Sequence, residues 1–246
     1  MGEKPILFST PMVQAILDGR KTMTRRIIKP QPDEKYSYCH GICTSSTDNK
    51  NVGRVGLGPS NVLVKQFIKP PYQPGDHLYV RETWRIGAWA ENPGRISVDY
   101  KADGYIRREW LDVEDPERFE RYWIQSTHDA EKAGLKFDLD GQYHWEPGKA
   151  PTRWRPSIFM PKEAARIWLE VTNVRVERLQ EISHKDIYRE GICIWQDCAE
   201  AIRNIRTKYF KKLWDGINLK RGYGWDSNPF VWAISFKVLE GGKLSA

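Results

Sequence analysis

Residues 167–179, Ile-Trp-Leu-Glu-Val-Thr-Asn-Val-Arg-Val-Glu-Arg-Leu, constrain the fold more than any other stretch of this chain. Apolar and polar side chains alternate through them, the period of an extended strand with one buried face. Such a strand needs paired neighbours for its backbone donors and acceptors. Phe230–Phe236 reads as one, and Ile6-Leu7-Phe8, residues 22–28 and His77–Trp84 read as others. Helices fall between them. One opens at Pro11 with Ser9 or Thr10 as cap, carries Met12, Ala15 and Ile16, and stops at Gly19. A second is capped by Ser183, has Asp186 at its third position, and ends at Gly191. A third points Ala199, Ile202, Ile205, Tyr209, Leu213 and Trp214 towards the core, and Trp168, Trp214 and Trp232 read as packing. Strands with segregated helices and no repeated strand-helix-strand unit predict an α+β fold, a small mixed barrel.

The 246 residues fit a single domain carrying insertions at about 31–70 and 85–155. The first insertion is polar and rich in turn signals, with Ser45–Asn49 and Gly56-Leu57-Gly58-Pro59 expected as loops. The second holds a helix over about Pro116–Gln125 and a further loop through Gly141 and Pro147, and is too long for a plain connection. No stretch is apolar for long enough to span a membrane, and the N-terminus lacks a secretory pattern, so the expectation is a cytoplasmic protein with no membrane partner. Reduced thiols are then expected at Cys39, Cys43, Cys193 and Cys198. Cys39, His40 and Cys43 are ligand types without a paired Cys-x-x-Cys motif, which keeps structural zinc as a minor alternative, and the five histidines lack metal spacing, so no metal is assigned. No phosphate loop or dinucleotide fingerprint occurs, and no cofactor is expected. The net charge of +7 favours an anionic partner. With 11 Trp and 11 Tyr beside it, that charge suits a nucleoside or single-stranded nucleic acid.

The densest chemistry lies in Gly19-Arg20-Lys21-Thr22-Met23-Thr24-Arg25-Arg26. It sets a glycine stop, an amine, a hydroxyl and guanidinium forks within one turn and the start of one strand. Crowding of three Arg and one Lys costs stability, so the cluster invites a functional reading. A solvated basic edge is the structural alternative.

Gly19, Lys21 and Arg26 fit a Gly-x-Lys-x-x-Glu-x-Arg hallmark, and by it the chain resembles the ASCH-domain proteins of the PUA-like superfamily, in particular prophage-encoded members with a Trp-rich insertion. The hallmark's acidic position holds Thr24 here, which is similar to the small ASCH amidohydrolases that act on N4-acetylcytidine. Further resemblance covers Pro74-Gly75-Asp76, Val171-Thr172 and the closing strand. Glu82-Thr83-Trp84 and Arg155–Pro161 resemble the prophage subgroup alone. The resemblance implies a PUA-like mixed β-barrel with flanking helices. It also implies a catalytic set of Lys21, Thr24 and, by placement in the helix after the central strand, Glu190.

Amide hydrolysis needs an activated nucleophile, a proton relay and a donor to the oxyanion. Thr24 would attack, Lys21 would take its proton if burial and nearby arginines lower its pKa, and Glu190 would orient the lysine and relay the proton. Residues 21 and 24 face opposite sides of an unbroken strand, so Lys21 must lie in the turn after Gly19. Arg26 suits a carbonyl or phosphate. Phe8, Ser9, Glu82, Trp84, Trp154, Arg155 and Ser157 are candidate substrate-binding residues, each with a structural alternative in core packing or an ion pair. Two rival expectations are a non-catalytic module for RNA or modified single-stranded DNA, and a metal-assisted single-strand ribonuclease.

Overall fold

A computed structural model describes residues 2–36, 38–44, 49–91, 94–107, 109–192 and 199–239, with backbone alone at 49, 199–204 and 206. The fold is mixed α+β. Its strands are β1 (Glu3–Leu7), β2 (Met23–Ile27), β3 (Tyr38–Ile42), β4 (Val55–Gly58), β5 (Gln66–Ile68), β6 (His77–Arg81), β7 (Trp84–Ala90), β8 (Arg95–Tyr100), β9 (Leu111–Asp112), β10 (Trp168–Arg178) and β11 (Phe230–Val238). Its helices are α1 (Thr10–Leu17), α2 (Pro116–Lys132), α3 (His184–Arg189) and α4 (Ala199–Asn218). The strands form sheets ordered β1-β6-β10-β11-β2, β3-β4-β5 and β7-β8-β9, and none of these closes on itself among the described residues. None of the described helices is long and apolar enough to cross a membrane.

The chain divides into two compact units, one of Met1–Lys4, Ala15–Leu78 and Trp168–Ala246, the other of Pro5–Gln14 and Tyr79–Ile167. In the first, β10 pairs antiparallel with β11, which pairs antiparallel with β2. The alternation of β10 does not run evenly. Leu169 and Val171 are buried, then Val174 and Val176, because a bulge between Val171 and Asn173 moves the inward face by one residue. Phe230 through Ile234 are buried without a break, so β11 is covered on both faces there. Leu179, Ile182, Ile187, Phe210, Trp214 and Val231 make one apolar cluster beside it. Burying each such side chain contributes on the order of 1.5 to 3 kcal/mol.

Several expectations need correction. Tyr209 does not face the core: it is 56% exposed, and Phe210, one helical step of 100° further round, is buried with Trp214. The predicted positions 199 and 202 have no described side chains, and Cys193 and Cys198 lie outside the described residues. Gly56-Leu57-Gly58 is no loop but most of the buried strand β4. A Cβ on Gly58 would collide with Leu63 O in the stretch before β5, so the glycine there serves a close backbone approach rather than a turn. His77–Trp84 is two strands, broken at Glu82 and Thr83.

In the second unit the segment expected as an insertion carries β7, β8, β9 and α2. Asp115 caps α2 by accepting from Arg118 N, with Pro116 in the first turn. The helix runs to Lys132, past its expected end, and residues 135–154 form no helix or strand. Tyr100, at the end of β8, is fully buried and its hydroxyl donates to Ala164 O at 2.5 Å.

Candidate active site around Lys21

Gly19 ends α1 with φ 69°, a left-handed conformation that suits glycine. The amides of Arg20 and Lys21 both turn back to Ala15 O, at 2.9 and 2.8 Å. This wrap keeps Lys21 outside β2, as its proposed role requires. Lys21 instead forms an isolated antiparallel bridge with Glu190, and Thr22 N donates to Arg189 O at 2.9 Å. On the other side, Ser183 Oγ accepts from Asp186 N at 3.1 Å to start α3, and Glu190 terminates it. Gly191 follows with φ 92°, and a Cβ on it would come 2.7 Å from Ala15 Cβ and 3.2 Å from Lys21 Cβ. A glycine here lets the end of α3 close onto the end of α1.

The Lys21 side chain is completely buried. Its Nζ donates to Glu190 Oε2 at 2.7 Å, Met23 O at 2.7 Å and Glu190 O at 3.0 Å. Three acceptors match the three hydrogens of an ammonium group. Glu190 Oε1 accepts from Arg25 Nη1 at 3.2 Å, so this carboxylate is shared by two cations. Arg25 also donates from Nε to Glu177 Oε1 at 2.6 Å and from Nη2 to Asp186 Oδ2 at 3.2 Å. Arg175 closes the set, reaching Glu177 Oε2 at 2.9 Å and Asp186 Oδ2 at 2.6 Å. Lys21, Arg25 and Arg175 are thereby interleaved with Glu177, Asp186 and Glu190. The motif's basic residues are consequently not a solvated edge throughout: Lys21 and Arg25 are buried and paired.

Burial lowers the Lys21 pKa below its ordinary value; Glu190 works against this, while the charges of Arg26 and Arg25 add to it. Arg26, next along β2 and half-buried, is likewise pushed down by burial, with Tyr72 and Glu190 opposing. Thr24 is buried in β2 opposite Ile234. Strand alternation puts it on the face away from Met23 and Arg25, the face it shares with Arg26. The structure thus joins Lys21 to Glu190 directly, and the hydrogen bonds that join them do not include Thr24.

The remaining candidates belong to the second unit. Phe8 is core, Ser9 is exposed, and Ser9 O accepts from Val13 N at 3.0 Å in the first turn of α1. Glu82 is buried, with both oxygens taken by Arg166, Nε to Oε1 at 2.9 Å and Nη2 to Oε2 at 3.0 Å. Arg166 also forks onto Asp103, with both contacts at 2.8 Å. Glu82 is held in this ion pair at a buried position rather than presented to a base. Trp84 is fully buried with Tyr122 edge-on at 5.9 Å, so its ring is core and not a stacking platform. Trp154 is half-exposed under the Arg85 guanidinium at 4.6 Å. Arg155 lies over Trp84 and Tyr122 at 5.6 and 5.2 Å. Ser157, half-buried, opens a short 3-10 turn.

Among the described residues no group of three or more His, Cys, Asp or Glu could hold a metal ion, and Cys39 and Cys43 are free thiols. Sequence reasoning placed Arg25 only among the cations near Lys21 and Asp186 only in the first turn of its helix, and it missed Glu177 and Arg175. Glu177 and Arg175 alternate along β10 with the buried Val174 and Val176, which marks a polar strand face but not what covers it. Comparison with known protein families, characterised proteins and solved structures finds no match to this chain.

Proposed function

We propose that this protein is a nucleobase- or nucleoside-recognising member of the ASCH group, built on a PUA-like scaffold, and that its Lys21 centre hydrolyses the amide of an N4-acylated cytidine. The observation that carries the proposal is the fully buried Lys21–Glu190 pair at 2.7 Å, formed between the motif's lysine and the helix after the central strand. A lysine whose pKa is lowered by burial is a competent general base once its proton is passed on, and Glu190 Oε2 is the adjacent acceptor.

In this scheme Lys21 gives one proton to Glu190 and must then turn its freed lone pair away from Glu190 and Met23, which its Nζ bonds in the structure, to take the proton of the Thr24 hydroxyl. Thr24 Oγ then bonds to the acyl carbon. The C–N bond breaks as Lys21 returns a proton to the exocyclic nitrogen, leaving cytidine and an acyl-threonine ester. Water cleaves the ester, releasing acetate and restoring Thr24. Arg26 would hold the acyl or base carbonyl. Purified protein should release acetate from N4-acetylcytidine, and Lys21→Ala and Thr24→Ala should each abolish release while keeping a native circular dichroism spectrum. Absence of acetate at every pH from 6 to 10, or retained turnover in either variant, refutes the assignment.

A further inference from the structure

In the second unit, a cavity of about 650 Å³ is lined by four arginines, Arg118, Arg121, Arg153 and Arg155. That volume lies within the range of small-molecule sites. Arg118, Arg121 and Tyr122 project from one face of α2 at helical spacing, and Gln125 continues the same face. Arg153, Trp154 and Arg155 come from the opposite wall, held against β7 by paired bonds, Arg155 N to Trp84 O at 2.6 Å and Trp84 N to Arg155 O at 3.3 Å. No carboxylate is among the lining residues. Two acids stand close to the arginines without lining the cavity: Glu163 pairs with Arg118 Nη2 at 3.8 Å, and Asp129 accepts from the backbone of Arg153.

Two of these guanidinium groups hold donors with no acceptor. Arg155 Nε and Nη2 and Arg118 Nε are buried and lack a hydrogen-bond partner. Those buried donors lie out of reach of solvent, whereas the exposed guanidinium forks of Arg121 and Arg153 line the same cavity and match the oxygens of a phosphate. The aromatic lining adds a second specificity. Phe159 stands 67% exposed at the cavity wall, and Trp154 lines the same cavity, so aromatic faces are open to a base there.

We propose that this cavity binds the phosphate of a nucleotide, with the guanidinium forks on the phosphate oxygens and Phe159 or Trp154 against the base. The choice of nucleotide rests on the nucleoside reading above, whereas the phosphate site stands apart from amide hydrolysis. The shared chemistry is a phosphate on a nucleoside, and its source is either a terminal monoester or an internal phosphodiester of a single strand.

Isothermal titration with the four ribonucleoside 5′-monophosphates, their nucleosides, inorganic phosphate and a single-stranded decanucleotide lacking terminal phosphates tests this. At least one monophosphate, or the decanucleotide, should bind about tenfold or more tightly than the corresponding nucleoside, inorganic phosphate should compete, and affinity should fall with salt. Arg121→Gln and Arg153→Gln, at exposed positions that spare the half-buried Arg155, should remove that advantage. Preference for the decanucleotide assigns the phosphodiester, and preference for a monophosphate assigns the monoester. If no phosphorylated probe outbinds its nucleoside, or the two variants bind as the parent does, the site is refuted. Acetate release, present or absent, leaves this outcome unchanged.

Discussion

Replacing Lys21 with Met tests the centre of the argument. The substitution keeps an unbranched side chain of similar length, so little cavity is created and the loss is mainly electrostatic. It strips one hydrogen bond from each of Met23 O, Glu190 O and Glu190 Oε2, and removes the cation 2.7 Å from that carboxylate. Removing one partner of a buried pair costs about 3 to 5 kcal/mol. Arg25 Nη1 still reaches Glu190 Oε1 at 3.2 Å, which selects the lower end, about 3 kcal/mol. For a chain of this size that corresponds to a fall in Tm of roughly 6 to 12 °C. Glu190→Gln leaves the ammonium with its two carbonyl acceptors and should cost about 2 kcal/mol. The double variant should lose less than the sum of the singles, with a coupling of about 2 kcal/mol. Urea unfolding followed by circular dichroism, with a shared m-value, gives all four corners of the cycle. A Lys21→Met protein within about 1 kcal/mol of the parent, or singles additive to within about 0.5 kcal/mol, would show that the pair is neither buried nor closed.

Two further outcomes follow from the geometry. Gly191→Ala should destabilise by about 2 kcal/mol or more, since alanine resists φ 92° and its Cβ would press on Ala15 and Lys21, and a thermal melt unchanged from the parent would contradict the close approach of α1 and α3. Burial pushes the Tyr100 hydroxyl from 10.0 up to about 12, so the unfolded chain ionises first. The stability this contributes, about 3 kcal/mol, is complete below pH 10 and is lost as pH rises from 10 through about 12. Denaturation at pH 9 and pH 11.5 should show the loss in the parent and a smaller one in Tyr100→Phe. Equal losses in both would contradict it.

Much of the order of elements was legible in the chain. The alternation in β10, the Ser183 cap with Asp186 behind it, and the stop at Gly19 are local signals, each set by backbone geometry a few residues long. So was the suspicion of Lys21 and Glu190, although nothing in the intervening 168 residues says that they meet. Where the sequence misled, a non-local fact decided. Gly56 and Gly58 look like turn residues, yet both lie in β4, and at Gly58 the backbone of Leu63 comes too close for a side chain. Tyr209 and Phe210 are both acceptable on a helix, and the cluster around Trp214 selects Phe210.

The sequence alone determined which residues are able to carry charge, stack or cap, because those are properties of single side chains and short spans. Which charges are matched was decided only by the tertiary structure. Arg25 and Arg26 are neighbours of one type, but Arg25 shares the face of Met23 and meets three carboxylates, while Arg26 shares the face of Thr24. Arg118 and Arg155 stand 37 positions apart, and only folding puts both at one cavity with buried donors unanswered. Pairing and burial set the energy of a charge far more than its identity does, and both depend on residues that the fold brings from a distance.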